Sequence, residues 1–318
     1  MEWWGYLLII IGALLVVPYI GMTLVMPRIV FKIILGRTKP EKWSREEPSD
    51  HKDAEMLAMW SQSLAFRKTY ASQEQELVAK TEDGLAIHSL YYDFGSDTAV
   101  ILIPGRPESC VYSLFYAYPY AEKGINVCAI DTRAHGLSEG KWSGCGYAEQ
   151  FDILAAASKL HETGIKKIIL HGVCIGSSSL SFVLAREDLP SYIVAGVTDG
   201  LYVNFYETMH RRIRKNGGVV YPTIFFFRHW IKQLYGTDIK KEGPLSNVEK
   251  IRVPMLMMAS KEDIFSLPEK TQLLFDHLAS REKEMVWFDH GRHSHLRIVD
   301  HSRYDEAVAR ILAKVASL

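Results

Sequence analysis

The chain has 318 residues, 48% of them hydrophobic, and its 37 basic side chains are balanced by 37 acidic ones. Such a composition is ample for a sizeable core, and the absence of excess basic charge argues against a nucleic-acid binder. The four cysteines, Cys110, Cys128, Cys145 and Cys174, form no Cys-x-x-Cys pair, so neither a zinc knuckle nor a dense disulfide framework is indicated and a reducing compartment is the simpler assumption.

Residues Trp3 to Pro27 carry no charged side chain. A run of this length and apolarity spans a bilayer as a helix, with Trp3, Trp4, Tyr6 and Tyr19 suited to its interfaces. A cleavable signal peptide is the rival reading, weakened by a start without a basic segment. Arg28, Lys32, Arg37, Lys39, Lys42 and Arg45 follow, against Glu41 alone. The positive-inside rule then puts the rest of the chain in the cytoplasm, behind a single span. The expected organisation is an anchor over 1–27, a basic linker and connecting helix over 28–73, and one domain over 74–318. The linker, Gly36 to Asp50, is polar and holds Pro40 and Pro48. After it, Leu57, Trp60 and Leu64 share a helix face that packs on the domain or lies along the membrane.

From Glu74 the pattern is of strands and helices. Leu77 to Lys80 and Leu85 to Tyr92 flank the turn signal Glu82-Asp83-Gly84. Strands are expected at Ala99–Ile103, Asn126–Ile130, Lys167–Leu170, Tyr192–Val197, Met255–Met258 and Glu284–Phe288. Helices are expected at Val111–Lys123, Ala148–Thr163, Ser177–Ala185, Pro268–Leu278 and Tyr304–Val315. Antiparallel strands followed by this alternation predict a mostly parallel α/β sheet covered on both faces. The stretch from about 200 to 250 breaks the alternation. It holds Tyr202, Phe205, Tyr206, Tyr221, Phe225, Phe226, Phe227, Trp230 and Tyr235, with Arg211, Arg212, Arg214 and Lys215. It is long for a connection and reads as an inserted lid.

Between the strand at 167–170 and the helix at 177–185 stands Gly172-Val173-Cys174-Ile175-Gly176. Gly-x-Cys-x-Gly at a strand-to-helix junction reads as a nucleophile elbow, with a strained Cys174 at the helix N-terminus, where a thiolate is favoured. A glycine-flanked turn around an inert cysteine is the alternative.

The order of elements around this elbow, over roughly Glu74 to Leu318, resembles the α/β-hydrolase superfamily. The resemblance implies a Cys174–His293–Asp263 triad. The acid falls after the strand beyond the insert, in Ser260-Lys261-Glu262-Asp263. The histidine falls after the last strand, in Asp289-His290-Gly291-Arg292-His293-Ser294-His295, where His290 and His295 are rivals to His293. It also implies an oxyanion hole from the backbone N–H groups of Ile175 and of Arg106, in Pro104-Gly105-Arg106-Pro107. The Arg106 side chain is left to a substrate anion or an outward salt bridge. Asp131-Thr132-Arg133-Ala134-His135-Gly136-Leu137-Ser138-Glu139-Gly140 is similar to a structural loop of the family, which makes His135 non-catalytic. Cysteine in place of serine is the departure, and the resemblance to dienelactone hydrolases and bile-acid–CoA:amino-acid acyltransferases lies in that cysteine. The implied reaction is hydrolysis of an ester or thioester, with an apolar or lipid-like acyl group, through an acyl-cysteine. An acyltransferase with the same triad and a catalytically silent membrane adaptor are the alternatives. No cofactor, no metal and no obligate protein partner is implied. A metal site at His290-x-x-His293-x-His295 lacks a completing glutamate or cysteine nearby.

Overall fold

The computed structural model describes residues 2–37, 39, 43, 45–48, 50–218 and 220–317. Pro40, Glu41 and Lys42 of the linker lie outside the described residues.

Helix α1 runs Trp3–Leu35 without interruption, through one π-helical turn at Gly21–Val25. No described residue from Trp3 to Ile20 is buried. The last turns differ: Phe31 and Leu35 are buried at i, i+4 spacing. Residues 28–35 are therefore helix packed on protein rather than linker.

Helix α2, Ala54–Thr69, is capped by Asp53, whose carboxylate accepts from the Glu55 and Met56 N–H groups. It packs on the domain. The buried line is Met59, Ser63 and Phe66, with Trp60 and Leu64 on its flank.

Among the described residues, eight strands form one sheet in the order β1-β2-β4-β3-β5-β6-β7-β8. They are β1 Glu74–Lys80, β2 Ala86–Tyr92, β3 Thr98–Ile103, β4 Asn126–Ile130, β5 Lys167–Val173, β6 Ile193–Asp199, β7 Met255–Ser260 and β8 Lys283–Phe288. The β1–β2 and β2–β4 pairs are antiparallel and all others parallel. Period-2 alternation makes two cores. Val100, Leu102, Val127, Ala129 and Ile169 face one side, and Ala99, Ile101, Cys128, Ile130, Ile168 and Leu170 the other. Helices α3 Glu149–Glu162, α4 Ile175–Leu184 and α7 Pro268–His277 cover the second side; α2 and α8 His301–Ala316 cover the first. The helix expected over Val111–Lys123 is broken into turns at Cys110–Ser113, Leu114–Tyr116 and Tyr118–Ala121, with Pro119 opening the last.

The insert forms α5 Phe205–Lys215 and α6 Thr223–Tyr235. Its aromatic residues pack on α1. Phe227, Ile231 and Ile239 are buried with Phe31, Leu35 and Cys145, and Phe31 meets Phe227, Trp230 and Trp142 edge-on or tilted.

From β3 to β4 the sheet grows one way, and from β5 to β8 the other. Such a switch opens a crevice at the carboxyl ends of the strands, here β3 and β5. The candidate residues lie there.

Candidate active site

Strand β5 delivers Cys174 into a tight turn with φ 55° and ψ −117°, and α4 begins at the next residue. The strain is held by bonds around it. Cys174 N–H donates to the Asp199 carbonyl at 2.9 Å, and the Ser177 hydroxyl donates to the carbonyls of Gly172 and Asp199. A Cβ on Gly172 would collide with the backbone of Gly176, and one on Gly176 with the Ile103 carbonyl oxygen. Glycine at both places lets the elbow close against β3. Cys174 is partly exposed, whereas the other three cysteines are buried.

His293 and Asp263 meet across the ends of β7 and β8. The Asp263 Oδ2 lies 2.7 Å from His293 Nδ1. The other oxygen, Oδ1, accepts from the Phe265 and Ser266 N–H groups at 2.7 and 2.9 Å. The carboxylate is thereby fixed in an orientation that presents one oxygen to the ring. Burial works to lower the His293 pKa. The Cys174 sulfur and the Asp263 carboxylate outweigh it and hold the imidazole well above its ordinary value. The arrangement favours a protonated imidazole between Asp263 and Cys174.

The rival histidines point elsewhere. His290 is exposed and lies 3.0 Å from Glu262. His295 Nδ1 lies 2.8 Å from Glu55, beside Arg292, which itself grips Asp53 and Glu55. Three histidines thus turn to three different carboxylates, and they do not converge on a metal. His135 is buried between Arg106, Thr132 and the Arg133 carbonyl. Burial, with Arg106 nearby, pushes its pKa down to about 3.

Ile175 opens α4, so its N–H has no acceptor within the helix. Among the described residues, the Arg106 guanidinium forms no ion pair with an acid. It donates to the Gly36 carbonyl, the C-cap of α1, at 2.6 Å and lies 3.1 Å from His135 Nε2. The end of α1 is therefore tied to the loop after β3.

A cavity of about 90 Å³ is lined by Cys174, His293, Gly105, Glu108, Tyr112 and Tyr116, among others, and by no residue of α5 or α6. The aromatic residues of the insert pack on α1, while Arg211 of α5 donates to the Phe265 carbonyl and the Phe265 ring stands 5.2 Å from that of His293.

Three residues of the site escaped the sequence reading. Gly200, after β6, has φ +72° and backs directly onto the His293 ring. Asp199 is fully buried, and among the described residues its carboxyl oxygens have no hydrogen-bond partner. Burial pushes it up to about 7, against the pull of His293. Glu108 reaches into the cavity from the loop after β3. Glu108 is the one acidic residue of Pro104-Gly105-Arg106-Pro107-Glu108, and that was the available signal.

Residues 242–297, which include Asp263 and His293, match the family model described as serine aminopeptidase, S33. The chain is 24% identical over 213 residues to the uncharacterized protein YqkD of Bacillus subtilis, covering 63% of this chain and 69% of that one. It is similar to the solved esterase Pf2001 of Pyrococcus furiosus, with a TM-score of 0.64 at 22% identity, over 78% of this chain and 93% of that one. The α/β hydrolase GrgF of Penicillium sp. sh18 gives a TM-score of 0.58 at 18% identity, over 76% and 96% of the two chains. The esterase EaEST of Exiguobacterium antarcticum gives 0.56 at 14%, over 75% and 100%. Sheet order, the elbow after β5 and these likenesses agree: the fold of this chain is the α/β-hydrolase fold.

Proposed function

We propose that the protein is a membrane-anchored hydrolase that cleaves an ester or thioester through an acyl-cysteine on Cys174. The observation that carries this reading is the strained, partly exposed Cys174 beside a His293 whose other face is held by Asp263 at 2.7 Å. An inert structural cysteine needs neither the strain nor the paired histidine. The esterase neighbours support ester hydrolysis as the reaction class.

The chemistry follows from the geometry. The thiolate of Cys174 adds to the acyl carbonyl, and the oxyanion is met by the N–H groups of Ile175 and Arg106. The tetrahedral adduct collapses, and the leaving alcohol or thiol takes the proton from His293. Water, deprotonated by His293, then opens the thioester and releases the acid. Asp263 keeps Nε2 aimed at the sulfur and stabilises the charged ring. The uncharged first part of α1 serves as the anchor, and the basic flank with Arg28 and Lys32 beyond it supports a cytoplasmic domain. An anchored enzyme meets substrates that partition into the bilayer, which favours an apolar acyl group.

The test uses detergent-solubilised full-length protein with p-nitrophenyl esters of increasing chain length and acyl-CoA thioesters. Turnover is expected, with a loss of about 10²–10⁴-fold in His293→Ala, the usual weight of a general base. Full turnover in Cys174→Ala, or none by the unmodified protein on the whole panel, overturns the reading.

A further inference from the structure

Glu108 is the group of the cavity that the mechanism above leaves unused. It follows Pro107 in the loop after β3, and its N–H closes a turn onto the Gly105 carbonyl at 3.2 Å. Its Oε2 lies 2.7 Å from the point where a Cβ on Gly105 would stand, and the same point is 3.3 Å from the Cys174 Cβ. The carboxyl and the Cys174 side chain thus border the same methyl-sized space. That space borders the loop that supplies the Arg106 N–H, where an acyl oxygen bound to Cys174 would be received.

Among the described residues that line the cavity, no cation is hydrogen-bonded to this carboxyl. The charged or titratable groups around the cavity are Arg106, Tyr112, Tyr116, Cys174, His293 and His295. The Arg106 guanidinium is turned to Gly36 and His135, His295 to Glu55, and His293 to Asp263. Among the hydrogen bonds of the described residues, none involves the Glu108 carboxyl oxygens. A carboxylate at this position would repel both the thiolate and the oxyanion. A neutral acid would do the opposite, since it carries one O–H donor.

We propose that Glu108 is a catalytic residue, whose neutral carboxylic acid donates a hydrogen bond to the oxyanion formed when Cys174 adds to the acyl carbonyl. The proposal rests on the acyl-cysteine reading. In the step, a carbon–sulfur bond forms and the carbonyl π pair moves onto oxygen. The Glu108 proton stays on Glu108 and is shared with that oxygen. On collapse the pair returns, the carbon–oxygen or carbon–sulfur bond to the leaving group breaks, and the leaving group takes its proton from His293. Burial supports the neutral form, pushing the Glu108 carboxyl up to about 7 against the opposing pull of His293. The third donor compensates for Pro107, which has no N–H to offer.

The experiment follows the acylation rate of Cys174 by p-nitrophenyl acetate in full-length protein, Glu108→Gln and Glu108→Ala, from pH 5.5 to 9. Alkylation by iodoacetamide, which forms no oxyanion, is measured alongside. Glu108→Ala is expected to acylate about 10²-fold more slowly, the weight of one oxyanion donor. Glu108→Gln keeps a donor and should lose less than tenfold. The unmodified protein should lose acylation rate above about pH 7, as the acid ionises, and Glu108→Gln should not. Alkylation should stay within threefold in both variants. If Glu108→Ala acylates at the native rate, or Glu108→Gln is as slow as Glu108→Ala, the proposal fails. Faster acylation and alkylation in both variants would show a repelling carboxylate and also overturn it. No acyl adduct on Cys174 of the unmodified protein overturns the acyl-cysteine reading, and this proposal with it.

Discussion

Gly200→Ala isolates the positioning of His293 from everything else in the site. Gly200 has φ +72°, and a Cβ there would stand 2.7 Å from His293 Cε1, 3.0 Å from Nδ1 and 3.0 Å from Ser294 Oγ. Two effects add. Left-handed backbone on a residue with a Cβ costs about 1–2 kcal/mol. Carbon contacts relax near 3.5–4.0 Å, so the ring must retreat by roughly 1 Å. The Nδ1–Asp263 contact of 2.7 Å cannot survive that shift unchanged. A misplacement of about 1 Å in catalytic geometry costs on the order of 10²-fold. The control is Gly95→Ala, in the turn after β2, with φ +78° and nothing within 4 Å of the added Cβ. It carries the backbone cost without the collision. Thermal unfolding and kcat/KM on a p-nitrophenyl ester are measured for both. Both variants should lose stability, Gly200→Ala the more, and Gly200→Ala alone should lose about 10²-fold in kcat/KM. Turnover within threefold of native in Gly200→Ala, or equal losses in both variants, would refute the argument.

Two further outcomes follow from burial. A protein starting at residue 28 keeps Phe31 and Leu35 in the α6 cluster, whereas one starting at 45 uncovers Phe227 and Ile231. Losing two buried side chains costs about 3–6 kcal/mol at the usual 1.5–3 kcal/mol each, so the shorter form should unfold at lower denaturant and aggregate. Equal midpoints for the two would contradict the packing of α1 on the insert. His171 is fully buried between the hydroxyls of Tyr120 and Tyr304, and burial pushes its pKa down to about 3, as it does for His135. Below about pH 6.5 the unfolded chain takes up these protons and the folded chain does not. Stability should therefore fall as pH drops from 6.5 toward 3, by at most about 1.4 kcal/mol per unit for each histidine. His171→Gln should flatten that slope in denaturant titrations at pH 7 and 5.5, and an unchanged slope would contradict it.

The central strands were legible because each is a short apolar run bounded by turn residues. Asn126–Ile130 begins and ends where the sequence places it, between Gly124 and Asp131. Residues 110–121 were not, since their apolar content suits one helix while Pro119 and the close packing of Tyr112, Phe115 and Tyr120 break it into turns. The end of α1 was hidden by charge. Arg28 and Lys32 read as a flank, yet both are exposed beside the buried Phe31 and Leu35, and Arg28 stacks over Trp230 of the same cluster. The aromatic insert was visible as an insert, but the surface that it covers depends on a helix some two hundred residues earlier. Chain order reaches Asp263 and His293, because each follows a strand end. It does not reach Gly200 or Glu108, whose places depend on contacts between strands far apart in sequence.

The most direct test of the account is the covalent state of Cys174 during turnover. Full-length protein and His293→Ala are mixed with p-nitrophenyl acetate, quenched in acid and digested, and the peptides are weighed. The account predicts one acetyl group on the peptide carrying Cys174, released by hydroxylamine. It should accumulate in His293→Ala as water loses its base, and be absent in Cys174→Ala. Turnover with Cys174 never acylated, or an acetyl group on another residue that follows the kinetics of turnover, would contradict it.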